Sequence, residues 1–235
     1  VTIGKVLDEA WTLFTRFFGK FFVIGLVVFA VVNLAYALVV EAISSDADAA
    51  AVTLGIVGLA AAVIGTTWLQ GAFVYAVQDA RDGTFDSTLR EVFSRVSSAI
   101  VPLFVAGLLA GLGIALGFVL LIVPGLFLLT IWAVIAPVIV IERRSALESF
   151  GRSRALVRGH GWTVFAIVVI TSLLSGIASG LLQAAFSFLP RFLEILVGAT
   201  IAQAVVAPFV AIALAITYFR LVEAQEQPTS TPADP

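Results

Sequence analysis

The chain has 235 residues, 61% of them hydrophobic and only 12% charged, with a formal net charge of -2. Soluble domains carry about 25% charged residues, so this composition belongs to a bilayer, and so small a net charge argues against nucleic acid or acidic substrates as partners. The absence of Cys excludes disulfides, thiolate nucleophiles and thiolate metal sites.

Six apolar stretches follow one another, at 21–40, 51–77, 99–121, 126–141, 162–186 and 193–219. As helices, each is about long enough to cross a hydrocarbon core of roughly 30 Å. Ahead of the first, Val6, Ala10, Trp11, Phe14 and Phe18 share a helical face, while Asp8, Glu9, Thr12 and Arg16 turn away. This predicts an amphipathic helix beginning near Thr2. The first outer loop, around Ser44-Ser45-Asp46, is polar and extended. Ala35-Tyr36-Ala37 has the small-x-small form of a signal-peptide cleavage site, but the segment before it forms half of a unit that recurs downstream.

A second amphipathic helix is expected from near Asp86, with Leu89, Val92, Phe93 and Val96 opposed to Arg90, Glu91 and Arg95. In the third span Gly107, Gly111, Gly113 and Gly117 suit close helix packing. Val123-Pro124-Gly125 then predicts a turn. The fourth span is short, so 126–141 is either the return arm of a hairpin or a re-entrant segment sheltered from lipid. Pro137 and Pro208 should kink the return spans.

A third amphipathic helix is predicted from Ser145, with Ser145 and Glu148 as a capping box. Leu147, Phe150 and Val157 make its apolar side, and Glu148 with Arg152 forms an i,i+4 pair worth a few tenths of a kcal/mol. These amphipathic helices either lie in the headgroup plane or pack against the spans. The fifth span lines up Ser172, Ser175, Gly176, Ser179, Gly180 and Gln183, a face that reads as a GxxxG seam or as a polar lining. The tail, 225–235, is rich in Pro, Thr and Ser and is predicted to be disordered.

Twelve of the thirteen Lys and Arg fall on one side of this threading: Lys5, Arg16, Lys20, Arg81, Arg90, Arg95, Arg143, Arg144, Arg152, Arg154, Arg158 and Arg220. The other side holds Glu41, Asp46 and Asp48, then Arg191 with Glu194. The positive-inside rule therefore places both termini in the cytoplasm. Eleven Arg against two Lys, with abundant Ala, Val and Gly, match by association the coding bias of a GC-rich bacterium, so a bacterial inner membrane is the expected location; with no Met in the chain, a processed or trimmed start is expected before Val1.

The order amphipathic helix, outward span, return span occurs three times, at about 2–85, 86–144 and 145–224. Trp68 precedes Asp79 by eleven residues and Trp132 precedes Glu142 by ten, so the two indoles share a depth. The expected fold is all-α: one polytopic domain over 1–224, with six transmembrane helices in three helical-hairpin repeats, each preceded by an amphipathic interfacial helix.

One stretch carries a resemblance. Leu121-Ile122-Val123-Pro124-Gly125-Leu126 leads to Ala136-Pro137-Val138-Ile139-Val140-Ile141-Glu142, then Ala146-Leu147, Arg152-Ser153, Leu156-Val157, Arg158-Gly159 and Trp162. This resembles the membrane domain of some bacterial glycerophosphodiester phosphodiesterases and the related stand-alone YciC-like six-helix membrane proteins. The resemblance implies an integral bacterial membrane protein. It does not bring the enzyme, whose activity belongs to a soluble barrel domain that is absent here.

No ionisable residue falls in the centre of a span, which argues against proton or sodium coupling. His160 lacks the company that a catalytic base or a metal ligand needs, so no catalytic, metal or cofactor residue is assigned. Arg154 and Arg158, four apart, form a candidate phosphate clamp for an anionic lipid headgroup, with Trp162 anchoring beside them. Asn33, Gln183 and Gln203 form a candidate outward-facing polar pocket. The expected function is a non-enzymatic membrane module engaging lipid headgroups or a membrane or cytoplasmic protein partner. The alternative is a small permease or transporter subunit for a neutral or amphipathic solute.

Overall fold

The computed structural model describes residues 1–44, 49–81 and 86–226, and these are helical almost throughout, with no strand among them. The predicted outer-loop charges Asp46 and Asp48, positions 82–85 and the tail beyond Glu226 lie outside the described residues. In chain order the helices are α1 (Ile3–Arg16), α2 (Phe18–Ser44), α3 (Ala49–Arg81), α4 (Leu89–Val96), α5 (Ile100–Leu120), α6 (Ile122–Ile131), α7 (Ile135–Glu142), α8 (Ala146–Val157), α9 (Gly161–Ala185), α10 (Arg191–Leu193) and α11 (Thr200–Glu226). A 3-10 turn, Ser97–Ala99, joins α4 to α5, and a π-helical stretch, Glu194–Ala199, leads into α11.

Five helical stretches are long and apolar enough to cross a membrane: 18–41, 90–120, 122–142, 161–185 and 191–226. The chain is therefore a multi-pass helical membrane protein. Its outer surface agrees, since Leu108, Leu112, Leu116 and Val119 on α5 and Leu173, Ile177 and Leu181 on α9 all face outward; a water-soluble monomer does not leave so long an apolar stripe uncovered. α3 is not among the five. The five are drawn from the described residues; α3 itself has 33 residues, about 50 Å of helix.

α11 is the central element. It packs against α1, α2, α3 and α9, while α2 pairs with α3 and α5 with α6. The α2–α3 pair is antiparallel: Gly58 faces Val39 and Gly65 faces Val32, so the numbering falls on one helix as it rises on the other. Gly25 lets α2 close on α11, because a Cβ there would stand 3.1 Å from the Ala204 Cα. The main core joins Val6 and Ala10 of α1, Phe21 and Ile24 of α2, Phe73 and Val77 of α3, Val92 of α4 and Ile212 and Ile216 of α11.

The turn between the third and fourth spans is not at Pro124-Gly125. The chain breaks at Leu121 (φ -164, ψ 151), and Pro124 and Gly125 lie in the first turn of α6. A helix's first turn has no use for the N–H that proline lacks. Gly117 and Gly125 set the tip: a Cβ on Gly117 would stand 2.9 Å from the Gly125 Cα, and one on Gly125 would meet the Phe118 ring. Of the four α5 glycines, Gly113 faces Trp132 and Gly117 faces Gly125, whereas Gly107 and Gly111 meet open space. Pro137 acts as expected. α6 and α7 part at Trp132–Val134, where its ring would crowd the carbonyl four residues back. Pro208 sits inside an uninterrupted α11.

The amphipathic helices pack on the bundle with their apolar faces. Val6 and Ala10 are buried, and so are Val92 and Val96. Phe14 packs partly buried against the same core as Val6, as expected, whereas Trp11 and Phe18 are exposed; the three rings continue outward in an aromatic row with Phe209 and Phe22. On α8 the buried face is Ala146, Ser149, Ser153, Leu156 and Val157, and Leu147 is 73% exposed. Serine can occupy this face because the Ser149 hydroxyl bonds the Ala146 carbonyl and Ser153 Oγ donates to the Ile131 carbonyl (2.8 Å). The Ser145–Glu148 capping box forms, and a second, Thr88–Glu91, opens α4. Glu148 is thereby committed to the cap, and Arg152 pairs instead with Glu142 at 2.9 Å.

Gly176 and Gly180 meet nothing within 4 Å, so the GxxxG seam is not a contact among the described residues. Gln225 belongs to α11 rather than to the tail; its Nε2 donates to the Ala155 carbonyl (3.0 Å) and its Oε1 accepts from Arg152.

Candidate functional site

The α8–α9 corner builds the site. α8 ends at Val157, and Gly159 takes φ +88, a conformation open to glycine at no steric cost. The His160 N–H closes this turn on the Val157 carbonyl at 2.9 Å, and α9 starts at Gly161. The corner is pressed onto α6 by the Ser153–Ile131 hydrogen bond and by a buried cluster of Leu156 and Val157 with Val134, Val164, Tyr218 and Leu221.

Two hollows result. A cleft of about 560 Å³ is lined by Arg154 and Arg158 together with Gly151, Ala155, Phe127 and Ile131. An apolar groove of about 650 Å³ runs beside it, between Val123, Leu126, Phe127 and Thr130 of α6 and Trp162 and Phe165 of α9. Phe127, Ile131, Gly159 and Gly161 belong to both, so the two are continuous. Arg154 and Arg158 are exposed, and neither makes a side-chain hydrogen bond or ion pair among the described residues. Their neighbours differ: Arg144 and Arg152 are both tied to Glu142, whose carboxylate also accepts from the Tyr218 hydroxyl. The basic run of 143–158 is thus divided into cations spent on the fold and cations left for something else. Trp162 is 86% exposed and meets Phe165 edge-on at 5.9 Å, at the rim of the groove.

The structure brings Arg154, Arg158 and Trp162 to one corner. The groove wall on α6 was not foreseen, because nothing local in Val123–Ile131 marks it; it arises only when α8 folds back on α6. The single cue was Gly159 between a basic helix and a span, a place for a tight corner. His160 lines the groove and makes no side-chain hydrogen bond among the described residues.

Among the described residues no hydrogen bond links the members of the polar trio. Asn33 is buried and its Nδ2 donates to Thr200 Oγ1 (3.1 Å), which in turn donates to the Phe29 carbonyl (3.5 Å). Gln183 is exposed near the end of α9 and Gln203 is half-buried on α11, with no hydrogen bond joining either to Asn33. Asn33 is a helix-to-helix tie, and polar side chains serve that purpose often inside membranes. No three of the described His, Asp and Glu residues gather as metal ligands would. No protein-family model matches the chain, and no curated protein or solved structure matches it.

Proposed function

We propose that this chain is a six-span module of a bacterial cytoplasmic membrane, with both termini cytoplasmic, that holds an anionic phospholipid instead of turning over a substrate. The observation that carries the reading is the pair of unpaired arginines at the mouth of an apolar groove. Guanidinium forks match phosphate oxygens, an acyl chain fills the space between α6 and α9, and the Trp162 indole sits where aromatic rings favour the interface. Each arginine near an anionic surface is worth about 1 kcal/mol, so the pair supplies about a thirtyfold preference for anionic over zwitterionic lipid.

α3 makes the sixth crossing in this proposal, since its length and its antiparallel pairing with α2 suit one. Support for the repeats comes from a shared arrangement. Trp68 packs edge-on against Phe93 and Trp132 against Phe150, and each Phe lies five residues after a capping-box Thr88 or Ser145. Support for the orientation comes from the ion pairs Glu9–Arg220 and Arg81–Glu223, which collect α1, α3 and α11 at one end. The resemblance to phosphodiesterase-linked membrane domains accords with a lipid-facing or partner-facing role.

The test is mass spectrometry of lipid co-purified with the Arg154→Ala/Arg158→Ala double variant. Phosphatidylglycerol and cardiolipin should fall about thirtyfold relative to phosphatidylethanolamine; unchanged lipid content sinks the clamp. For the threading, single cysteines are placed at position 46 and at Leu147. Impermeant reagent on intact cells must label the first and spare the second.

A permease reading draws on one observation, a crevice of about 630 Å³ between α3, α5, α7 and α11 that carries Thr66 and Gln70 on otherwise apolar walls. Solute flux into liposomes that is lost with Gln70→Leu would favour it over the lipid-holding role.

A further inference from the structure

Another hollow, of about 660 Å³, opens between α3, the α4–α5 junction and the end of α7. It shares no residue with the Arg154–Arg158 cleft. Tyr75 and Asp79 line it from α3, Arg95 and Ser98 from the junction, and Arg143 and Arg144 from the chain just past α7.

Each guanidinium has its own means of support. Arg95 lies over the Tyr75 ring at 5.0 Å, a cation–π contact that fixes its direction without using its N–H donors. Arg144 gives Nε to Glu142 at 2.7 Å, which leaves its terminal nitrogens. Arg143 is exposed and makes no side-chain hydrogen bond or ion pair among the described residues. Asp79 is the one carboxylate lining the hollow, and its Oδ2 already accepts the Ser87 N–H at 3.1 Å.

Arg143 has a further peculiarity. Its φ of 53 and ψ of 38 are left-handed, and it is the one non-glycine residue with positive φ among those described. This position after a helix ordinarily takes Gly or Asn, because a Cβ is crowded there. A residue kept in a disfavoured conformation is a pointer to function when it also faces a cleft.

We propose that this cleft binds a phosphate-bearing anion. Arg144 is balanced by Glu142, and Arg95 and Arg143 outnumber the single lining carboxylate of Asp79, so the hollow stays net positive; planar guanidinium donors suit the oxygens of phosphate better than a monatomic anion. Tyr75 and Ser98 add hydroxyls on the same walls. The phosphate belongs either to a soluble phosphoryl compound or to a lipid headgroup, and the experiment separates the two.

The full chain, in nanodiscs of phosphatidylcholine alone, is titrated with inorganic pyrophosphate by calorimetry. Arg143→Gly removes one guanidinium and relieves the left-handed turn, so its thermal midpoint should hold or rise while the dissociation constant rises at least about tenfold. Arg95→Gln, on a different element, should weaken the same anion. The Arg143→Gly and Arg95→Gln comparisons are made in the Arg154→Ala/Arg158→Ala background, which removes any pyrophosphate held by the lipid clamp, so this site and the clamp stand or fall separately. If pyrophosphate does not bind, the second arm measures phosphatidylglycerol retained from phosphatidylcholine–phosphatidylglycerol vesicles. Loss of that lipid with both Arg143→Gly and Arg95→Gln assigns the phosphate to a headgroup. Independence of Arg143 and Arg95 in both arms overturns the proposal.

Discussion

Replacing Gly117 with Ala tests the hairpin between α5 and α6. The new Cβ would lie 2.9 Å from the Gly125 Cα, 3.0 Å from its N and 3.2 Å from the Pro124 carbonyl carbon. All three are backbone atoms in the first turn of α6, so no rotamer change relieves the clash. The hairpin must open, which loosens Phe118 from Gly125 and Trp132 from Gly113. Overpacking of this kind costs about 1–3 kcal/mol, against a propensity gain of up to about 1 kcal/mol for Gly→Ala in a helix. With the full propensity gain the net loss is about 0–2 kcal/mol; against a control that shares this gain the difference is about 1–3 kcal/mol, about 2–12 °C in the thermal midpoint for a chain of this size. Gly107→Ala is the control, because nothing stands within 4 Å of its Cβ; it should melt with the parent or slightly above it. Both variants are heated in one detergent while helical circular dichroism and tryptophan fluorescence are followed. If Gly117→Ala melts with Gly107→Ala, the two helices do not meet at Gly117 and Gly125, and the turn at Leu121 is wrong.

Asn33→Leu should cost about 0.6 kcal/mol and at most about 1.7, the range for hydrogen bonds between membrane helices; a double-mutant cycle with Thr200→Val should recover most of that as coupling, and additive losses refute the pairing. Glu142→Gln should destabilise by about 1–3 kcal/mol, since it removes the charge shared by Arg144 and Arg152 and one of the two oxygens that serve them and Tyr218. Glu9→Gln, on a more open network with Arg81 and Arg220, should cost less than about 1 kcal/mol and lose its effect at high salt; equal losses in both variants contradict this ranking. The Ser145 hydroxyl and its N–H hold the Glu148 carboxyl below the usual glutamate range. A lowered folded value means the cap's contribution is complete above the unfolded value, about 4.3, and fades as pH falls through the folded one. Glu148→Gln keeps the capping box and should flatten that part of the pH dependence of the thermal midpoint.

Much of this architecture was open to reading along the chain. Hydropathy alone marks where helices cross a bilayer, because lipid leaves the backbone no partners but its own. Helix starts were legible wherever a side chain solves a local problem, as at Ser145 with Glu148. Trp68 and Trp132 were placed at one depth by counting residues, and each turns out to face the Phe of the next short helix. The failures have a common cause. Pro124-Gly125 looked like a turn because local chemistry cannot say which glycine faces another helix. Leu147 was placed on a buried face and Ser149 and Ser153 were not, because a serine's burial depends on a carbonyl it meets only after folding.

The sequence by itself determined the solvent: an apolar, cation-asymmetric chain partitions into lipid as helices, since each residue's transfer energy depends on its own side chain. The tertiary structure alone decided which charges were spent. Arg152 and Arg154 are two residues apart and chemically identical, yet one is locked to Glu142 while the other stands free beside an apolar groove. That division depends on distances between helices, set by glycine contacts and buried serines far along the chain. A one-dimensional pattern carries side-chain identity; pairing is a property of three-dimensional proximity.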